Sequence, residues 1–422
     1  MTSRSGRRTL LPLALAFLTV GLSAAMSGPF LALFLADGLR VDGVHVAFFL
    51  AGAPVAAMVV STLLGRVSDR LTSRRWFRVA TALAGSAATG LTAVVRDYWV
   101  LLAVTVTLAA AAGALLPQIL AYARESVPGG GRVALTLSSL RSLFSVAWVA
   151  GPPLAAVLLH VGGFALVYTG ACLMYAVTAL TALVALGAPR PTAPEPGLPG
   201  ETHGDGDRHG PASRSHLWAA VAVMALVRCA GSLAVQGLPL FTTQVLHGPV
   251  TDAGLLLGLC AALEIPFMIG FGALATRVPL RRLLAAGIVC GLVYTSVVAT
   301  STALWQLVAV QVVNAAGIAA TAGLGITYLQ DLLPGRAGRA STLYSNTFAT
   351  GSALAGPVLG AAQTLGYRSP YLVGAVLSAA ALALLLLVRP HSGAAAGYRE
   401  HAGGGAGSTD GAVGEPWAAP RT

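Results

Sequence analysis

Long apolar stretches of about 19 to 27 residues follow one another along nearly the whole chain, with short polar segments between them. A helix needs about 20 apolar residues to cross a hydrocarbon core of about 30 Å, so each stretch can span a membrane. The pattern predicts twelve spanning helices. Their predicted bounds are 10–35, 44–65, 76–95, 99–122, 134–159, 163–187, 216–241, 252–275, 283–301, 303–329, 340–363 and 370–388.

Two polar regions divide the chain. Residues 189–215 are rich in Pro, Gly, Asp, Glu and His and lack an apolar period, which predicts a flexible cytoplasmic linker. Residues 391–422 are dominated by Gly and Ala, which predicts a disordered cytoplasmic tail. We therefore expect one six-helix bundle in 1–188 and a second in 216–390.

The two predicted bundles repeat each other. Gly65 to Arg75, after the second span, aligns with Gly272 to Arg282, after the eighth, at an offset of 207 residues. The Ala-Gly-Pro run at 150–152 in the fifth span aligns with 355–357 in the eleventh. This parallel repeat predicts an all-α membrane protein of twelve helices in two pseudo-symmetric bundles, with a small-molecule path between them near mid-membrane.

Composition and charge agree with a membrane protein. The 422 residues are 56% hydrophobic and only 10% charged, with a formal net charge of +11. All 26 basic residues are Arg; 21 fall on one side of the predicted spans, Arg40, Arg96 and Arg368 on the other, and Arg141 and Arg228 within spans. This asymmetry predicts a multi-pass protein of the cytoplasmic (inner) membrane, with both termini in the cytoplasm, and it favours anionic lipid over nucleic acid as the partner of the basic charge.

The first apolar stretch begins like a secretory signal, because Arg4, Arg7 and Arg8 precede it and small residues occupy 23–25. Apolar character continues through Phe34, about 25 residues in all, which is longer than the apolar core of a signal peptide. We expect a membrane span rather than a cleaved leader.

Other chemistry has no sequence signal. The four cysteines lie far apart in apolar spans, so no disulfide or zinc framework is expected. His203 and His209 share a polar loop, where solvation is the expected state. Phosphate-binding, triad and metal-ligand spacings do not occur. We expect no enzyme activity, no cofactor and no metal site, and therefore transport that is either ion-coupled or passive.

The loop from Gly65 to Arg75 resembles the signature of the major facilitator superfamily between helices 2 and 3. It departs from that pattern at Thr72, where the family usually has Gly, and the second-half copy has Thr276 in place of an acid. The resemblance implies a gating role for the charged residues of the loop, with Asp69 carrying most of it: Asp69, Arg70, Arg74 and Arg75.

In the fifth span, the run from Ala147 to Pro153 resembles the Gly-Pro signature of facilitator exporters that exchange a substrate for an ion. Small residues at a spacing of four let helices pack closely, and proline bends a helix. The resemblance favours export and adds Gly151 and Pro152 to the gating group. A packing role alone is the alternative.

Several sequence blocks from the fourth to the eleventh span, taken together and in order, resemble the sugar efflux transporter family. They are Leu116-Pro117-Gln118 with Ala123-Arg124-Glu125, Ser139-Leu140-Arg141 with the run to Pro153, Leu263-Glu264-Ile265-Pro266, Tyr328 to Gly335, and Ser341 to Thr347. The resemblance implies the major facilitator fold and export of sugars and small glycosides, driven by proton exchange.

Glu264 is the carboxylate placed deep in a predicted span. An unpaired carboxylate there is costly, so it should face a cavity and be protonated or paired, as a proton-coupling group requires. Arg141 lies about two turns into the fifth span and is expected to pair with Glu264 or to bind sugar hydroxyls. Arg228 sits similarly in the seventh span, without support from the resemblance. Alternatives are a structural role for Glu264 and snorkelling of Arg141 to the interface.

A sugar site also needs amides for hydrogen bonds and an aromatic face for the apolar side of the ring. Amide candidates within spans are Gln118, Gln236, Gln311, Asn314 and Asn346, and the aromatic candidates are Trp148 and Tyr344. Asn346 occupies the repeat position of Arg141, which favours it. For any single one of them, a bond between helices is the alternative.

The sequence thus predicts a proton-coupled exporter of sugars or small glycosides, working as a monomer by alternating access. A multidrug or antibiotic exporter of the same superfamily is the second reading, because the export motif is shared. A membrane sensor that binds but does not transport is the third.

Overall fold

The computed structural model describes residues 3–70, 74–126, 131–186 and 214–388. Side chains are described in these ranges except those of 3–9, 67–70, 74, 124–126, 131–139, Arg141 and Ala337. The predicted linker and tail fall almost wholly outside the described residues. All regular structure in the described ranges is helical.

The first half contains six helices. Helix α1 is Ser3–Ser27, followed by the short pieces Leu31–Leu33 and Phe34–Gly38; α2 is Gly43–Arg70 and α3 is Arg74–Val94. Helix α4 comprises Tyr98–Val104, Thr105–Ala109, Ala110–Ala112 and Leu115–Ser126. Helices α5 and α6 are the parts of Gly131–Val184 before and after a bend at Gly162 and Gly163.

The second half contains six more helices. They are α7 Arg214–Gln244, α8 Val250–Leu274, α9 Leu280–Thr300, α10 Leu304–Asp331, α11 Ala337–Leu365 and α12 Ser369–Leu387. The twelve predicted helices are thus confirmed. Nine helical segments of the described chain are long and apolar enough to cross a membrane; one of them covers both α5 and α6, while α3 and α11 fall outside this set.

The bend between α5 and α6 lies where the sequence predicts a boundary. Gly163 has φ of 66°, a left-handed conformation that a residue with a Cβ rarely adopts. Gly162 is also non-helical, with φ of −141°. Two adjacent glycines therefore allow a turn with almost no connecting loop.

The two halves pack together at one end of the helices, which we call the closed end; it carries the α1–α2, α7–α8 and α11–α12 connections. There α11 crosses α2, and a Cβ on Gly356 would lie 2.6 Å from Ala51 N. Helix α8 crosses α5 in the same way, since a Cβ on Gly258 would lie 2.8 Å from Val149 O. Glycine permits this approach of one helix to another. The predicted neighbourhood of the fifth and eighth spans is therefore confirmed.

The apolar cores also differ between the two ends of the helices. At the closed end one core combines residues of both halves, for example Phe34 and Leu50 with Leu233 and Leu359. At the opposite end, which we call the open end, each half has a core of its own. A Cβ on Gly65 or Gly270, both towards the open end, would meet nothing within 4 Å. The halves therefore separate toward the open end.

Arginines at the start of α3 and α9 bind the last carbonyls of the neighbouring helix. The Nη2 group of Arg281 donates to Leu386 O at 3.1 Å and to Val388 O at 2.8 Å, at the end of α12. In the first half, Arg75 donates to Leu183 O near the end of α6. A helix C-terminus lacks partners for its last carbonyls, and a cation there is favourable. These arginines therefore anchor helix ends within each half.

This anchor gives a stability prediction. Arg281→Ala should lower stability by about 1.5–3 kcal/mol, because hydrogen bonds from a charged donor to helix-end carbonyls are lost. Thermal unfolding in detergent, followed by fluorescence, measures the effect. Arg282→Ala is the matched control, since that neighbouring side chain is exposed and makes no described hydrogen bond. Equal losses in the two variants would contradict the anchoring role.

Candidate functional site

Arg228 lies at the centre of α7 and is held by two rings of α11. Its Nη2 group donates to the hydroxyl of Tyr344 at 2.5 Å, and that hydroxyl donates to Ala322 O at 2.8 Å. The guanidinium carbon lies 3.9 Å from the centroid of the Phe348 ring and 5.4 Å from that of Tyr344. The charge of Arg228 therefore rests on an aromatic surface.

The close approach of α7 and α11 makes this arrangement possible. A Cβ on Gly351 would lie 2.5 Å from Arg228 Cβ and 2.7 Å from its carbonyl carbon. Because Gly351 has no side chain, Phe348, one turn earlier, comes under the guanidinium. Tyr344, Phe348 and Gly351 follow one another at helical spacing and so share one face of α11.

Glu264 lies ten residues from the end of α8, or about 15 Å along the helix. Its side chain is partly buried, and its carboxylate and the Arg228 guanidinium attract each other. No ion pair within 4.0 Å joins these two described side chains. The predicted depth of Glu264 is confirmed, and Arg228 is the opposite charge that acts on it.

Approximate energies explain why the two charges stay apart. An ion pair at 4 Å gains about 4 kcal/mol at an effective dielectric of 20. A desolvated cation on an aromatic face gains about 2 kcal/mol, and a hydrogen bond from a charged donor about 1.5–3 kcal/mol. The aromatic contacts of Arg228 therefore match what pairing would give, and the loss of either ring would change the balance.

An amide cluster of α10 lies beside α8. Asn314 donates to Gln311 Oε1 at 3.1 Å and to Cys260 Sγ at 3.3 Å, one helical turn from Glu264. Gln311 is fully buried. Asn314 thus contacts α8 one turn from Glu264, and its role in binding stays a prediction, whereas Gln311 contributes to packing within the second half.

The other predicted contacts lie apart from this group. Asn346 is exposed and, two residues from Tyr344, points to another side of α11. Gln236 is partly buried on α7, eight residues beyond Arg228. Gln118 on α4 and Trp148 on α5 are partly buried in the first half. Their roles in binding stay predictions.

Of the predicted arginine and gating residues, some have side chains that the structure does not describe, and two lie at helix crossings. The side chains of Arg141, Asp69, Arg70 and Arg74 are outside the description, so the pairing of Arg141 with Glu264 and the gating roles stay predictions. Gly151 and Pro152 lie at the crossing of α5. A Cβ on Gly151 would lie 2.5 Å from Ala25 Cβ of α1, and Pro152 O faces Gly254 of α8. Gly151 thus packs against α1 within the first half, and Pro152 lies at a contact between the halves, which agrees with either gating or packing.

Two cavities border these residues. One of about 70 Å³ lies inside the second half against Arg228, Tyr294, Asn314 and Ser378. Since a water molecule occupies about 30 Å³ of the liquid, this volume holds water and not a sugar. A wide cavity of about 720 Å³ borders the open-end part of α8 at Phe271 and other residues. Of these two cavities, the one toward the open end is large enough for a sugar.

Comparison with known proteins gives the family. The Major Facilitator Superfamily profile matches residues 13–355 and 281–418. Sugar efflux transporter C of Escherichia coli (strain K12) is 34% identical over 355 residues, covering 82% of this chain and 87% of that protein. Sugar efflux transporter A of Dickeya chrysanthemi is 32% identical over 379 residues, covering 89% and 94%. The crystal structure of the nucleoside transporter NupG superposes with a TM-score of 0.69 at 16% identity, covering 90% of this chain and 97% of that one.

Two six-helix halves that separate around a polar site define a multi-pass membrane transporter, and not an enzyme. The chain belongs to the sugar efflux transporter family of the major facilitator superfamily. The predicted resemblance and fold class are thereby confirmed.

The contact of Arg228 with Phe348 was not predicted. The available signal was local: an arginine within one span, and two aromatics four residues apart followed by Gly351 in another. What brings them together is the packing of α7 on α11, which the hydrophobic pattern does not specify.

Proposed function

We propose that this protein exports sugars or small glycosides across the cytoplasmic membrane in exchange for protons. The observation that carries the proposal is the pair of opposite, unbonded charges at mid-helix, Glu264 and Arg228, in a chain related to sugar efflux transporters. A partly buried carboxylate without an ion pair or hydrogen bond among the described residues is a group that protonation can stabilise.

The two groups fit a neutral polyol. An ionised Glu264 accepts a hydrogen bond from one hydroxyl, and Arg228 donates to the oxygen of another. Protonation of Glu264 removes a strong acceptor and releases the sugar. Proton and sugar therefore compete for one site, which is the requirement for exchange.

The contact of the two halves at one end and their separation at the other support transport by alternating access. The arginine asymmetry predicts that the closed end faces the exterior and the open end the cytoplasm. The described state is then open inward and ready to take substrate from the cell. Rocking of the two halves would close the open end and separate the contacts of α2 with α11 and of α5 with α8.

A multidrug exporter of lipophilic cations is the second candidate, and Arg228 argues against it. A cation 4 Å from the guanidinium is repelled by about 4 kcal/mol at an effective dielectric of 20, about a thousandfold in affinity. Binding of labelled sugars, glycosides and a lipophilic cation to purified protein separates the two. Saturable binding of a sugar alone supports the proposal; binding of the cation alone overturns it.

Asp37 gives a pH prediction for the closed end. It accepts a hydrogen bond from Gln244 Nε2 at 3.2 Å, across the two halves. Burial raises the pKa of Asp37, while the Gln244 bond and the charge of Arg40 lower it by less. Opening would return Asp37 to water and its ordinary pKa, so a proton favours the closed form. Lowering external pH toward the ordinary carboxyl range should therefore increase the closed population.

The closed population can be followed by the distance between spin labels placed on the two halves at this end. Asp37→Asn should stay largely closed and lose this part of the pH response. Asp42→Asn is the matched control, because the described hydrogen bonds of Asp42 are with His45 of its own half, and they lower its pKa. A pH response unchanged by Asp37→Asn would exclude Asp37 from the closed-end equilibrium.

A further inference from the structure

Phe348 lies in the middle of α11 with one face of its ring against a cation. The side chain is 44% exposed, and the Arg228 guanidinium carbon lies 3.9 Å from the centroid of its ring. The neighbouring Tyr344 ring meets Phe348 edge-on, with centroids 5.5 Å apart. Together the two rings form a fixed support for one charge.

The two rings hold Arg228 away from Glu264, although the two charges attract each other. Arg228 and Glu264 attract each other, and a flexible arginine side chain could reach for the carboxylate, yet no ion pair within 4.0 Å joins them. The described contacts of the guanidinium are all with α11: the Tyr344 hydroxyl and the two rings. The aromatic face therefore competes with Glu264 for the same cation.

We propose that Phe348 is a positioning residue that keeps Arg228 separated from Glu264, so that the gap between the charges is completed by two adjacent hydroxyls of the substrate. One hydroxyl donates to the carboxylate and the other accepts from the guanidinium. This inference rests on the proposed function and deepens it, because it specifies a vicinal diol as the recognised feature. Without the ring, Arg228 pairs with Glu264 and fills the gap itself.

The test compares Phe348→Leu, which removes the aromatic face, with Phe348→Tyr, which keeps it. In Phe348→Leu, sugar affinity should fall about tenfold. The pH midpoint of transport should move about one unit lower, because a paired guanidinium favours the ionised carboxylate. Phe348→Tyr should restore both values. Tyr344→Phe, which loses the hydrogen bond from Arg228 but keeps the ring, should show a shift of similar size in the same direction.

An infrared titration makes the inference independent of sugar transport. The band of the protonated Glu264 carboxyl, identified by its loss in Glu264→Gln, is followed against pH in purified protein. Loss of this band at lower pH in Phe348→Leu than in wild type and Phe348→Tyr supports the inference, even if no sugar is transported. Identical titrations in all three proteins overturn it, whatever the wild type transports.

Recognition of a vicinal diol can be tested with two related glycosides. A glycoside that binds wild type is compared with its analogue lacking one hydroxyl of the vicinal pair. The analogue should bind wild type about tenfold more weakly and bind Phe348→Leu no worse than the parent sugar does. If removal of the hydroxyl weakens binding equally in wild type and in Phe348→Leu, the vicinal diol does not bridge Arg228 and Glu264.

Discussion

Gly360→Leu should reduce transport at least about tenfold, because the closed end can no longer form. Gly360 of α11 meets Gly43 of α2 backbone to backbone, and an added Cβ would also lie 2.7 Å from Ala47 Cβ and 2.8 Å from Ala47 N. Interiors are too closely packed to accept a leucine against main-chain atoms. The variant should therefore rest with this end open.

Two measurements check this expectation. The first is sugar flux in proteoliposomes. The second is the distance between spin labels at Arg40 and Tyr367, on opposite halves, which should increase in Gly360→Leu. Gly52→Leu is the matched control, because Gly52 lies on the same α2 helix that Gly360 meets and a Cβ there would meet nothing within 4 Å. Normal flux with an unchanged label distance in Gly360→Leu would refute the role of this crossing.

Glu264→Gln should abolish flux driven by a pH gradient, a loss of at least about tenfold, while sugar exchange at equal pH continues. Glutamine keeps the size of the side chain and an acceptor oxygen but cannot take up a proton. The carboxylate of Glu264 accepts no hydrogen bond from the described residues, so the substitution should break no contact that stabilises the fold.

Asp252→Asn is the control for Glu264, since it removes a carboxylate from the same helix, at its closed end. Counterflow of labelled sugar measures exchange, and uptake under an imposed pH gradient measures coupling. If Glu264→Gln retained the wild-type response to the gradient, the proton would have to act elsewhere.

The hydrophobic pattern was sufficient to predict the twelve helices because span length is set by the membrane and not by neighbours. The repeat predicted two pseudo-symmetric bundles but not which helices meet between them. Its alignment of the Gly-Pro run in the fifth span with that in the eleventh corresponds to two crossings, α5 on α8 and α11 on α2. Both depend on small residues, which sequence displays directly.

The candidate site was only partly predictable. The depth of Glu264 in an apolar span identifies it as functional, since a membrane makes an unpaired charge costly. The position of Arg228, the opposite charge that acts on Glu264, depends on which faces of α7 and α11 meet. Periodicity along one helix does not contain that information. Tyr344 was expected to stack on sugar, but its hydroxyl binds Arg228 and its side chain is buried.

The most direct test of the account is uptake of a panel of labelled sugars and glycosides into inverted membrane vesicles, with and without a proton gradient, interior acidic. The account predicts accumulation of a sugar that requires the gradient, is lost in Glu264→Gln and persists in Asp252→Asn. Absence of any gradient-dependent sugar uptake, with dyes or antibiotics accumulated instead, would contradict it and identify a multidrug exporter.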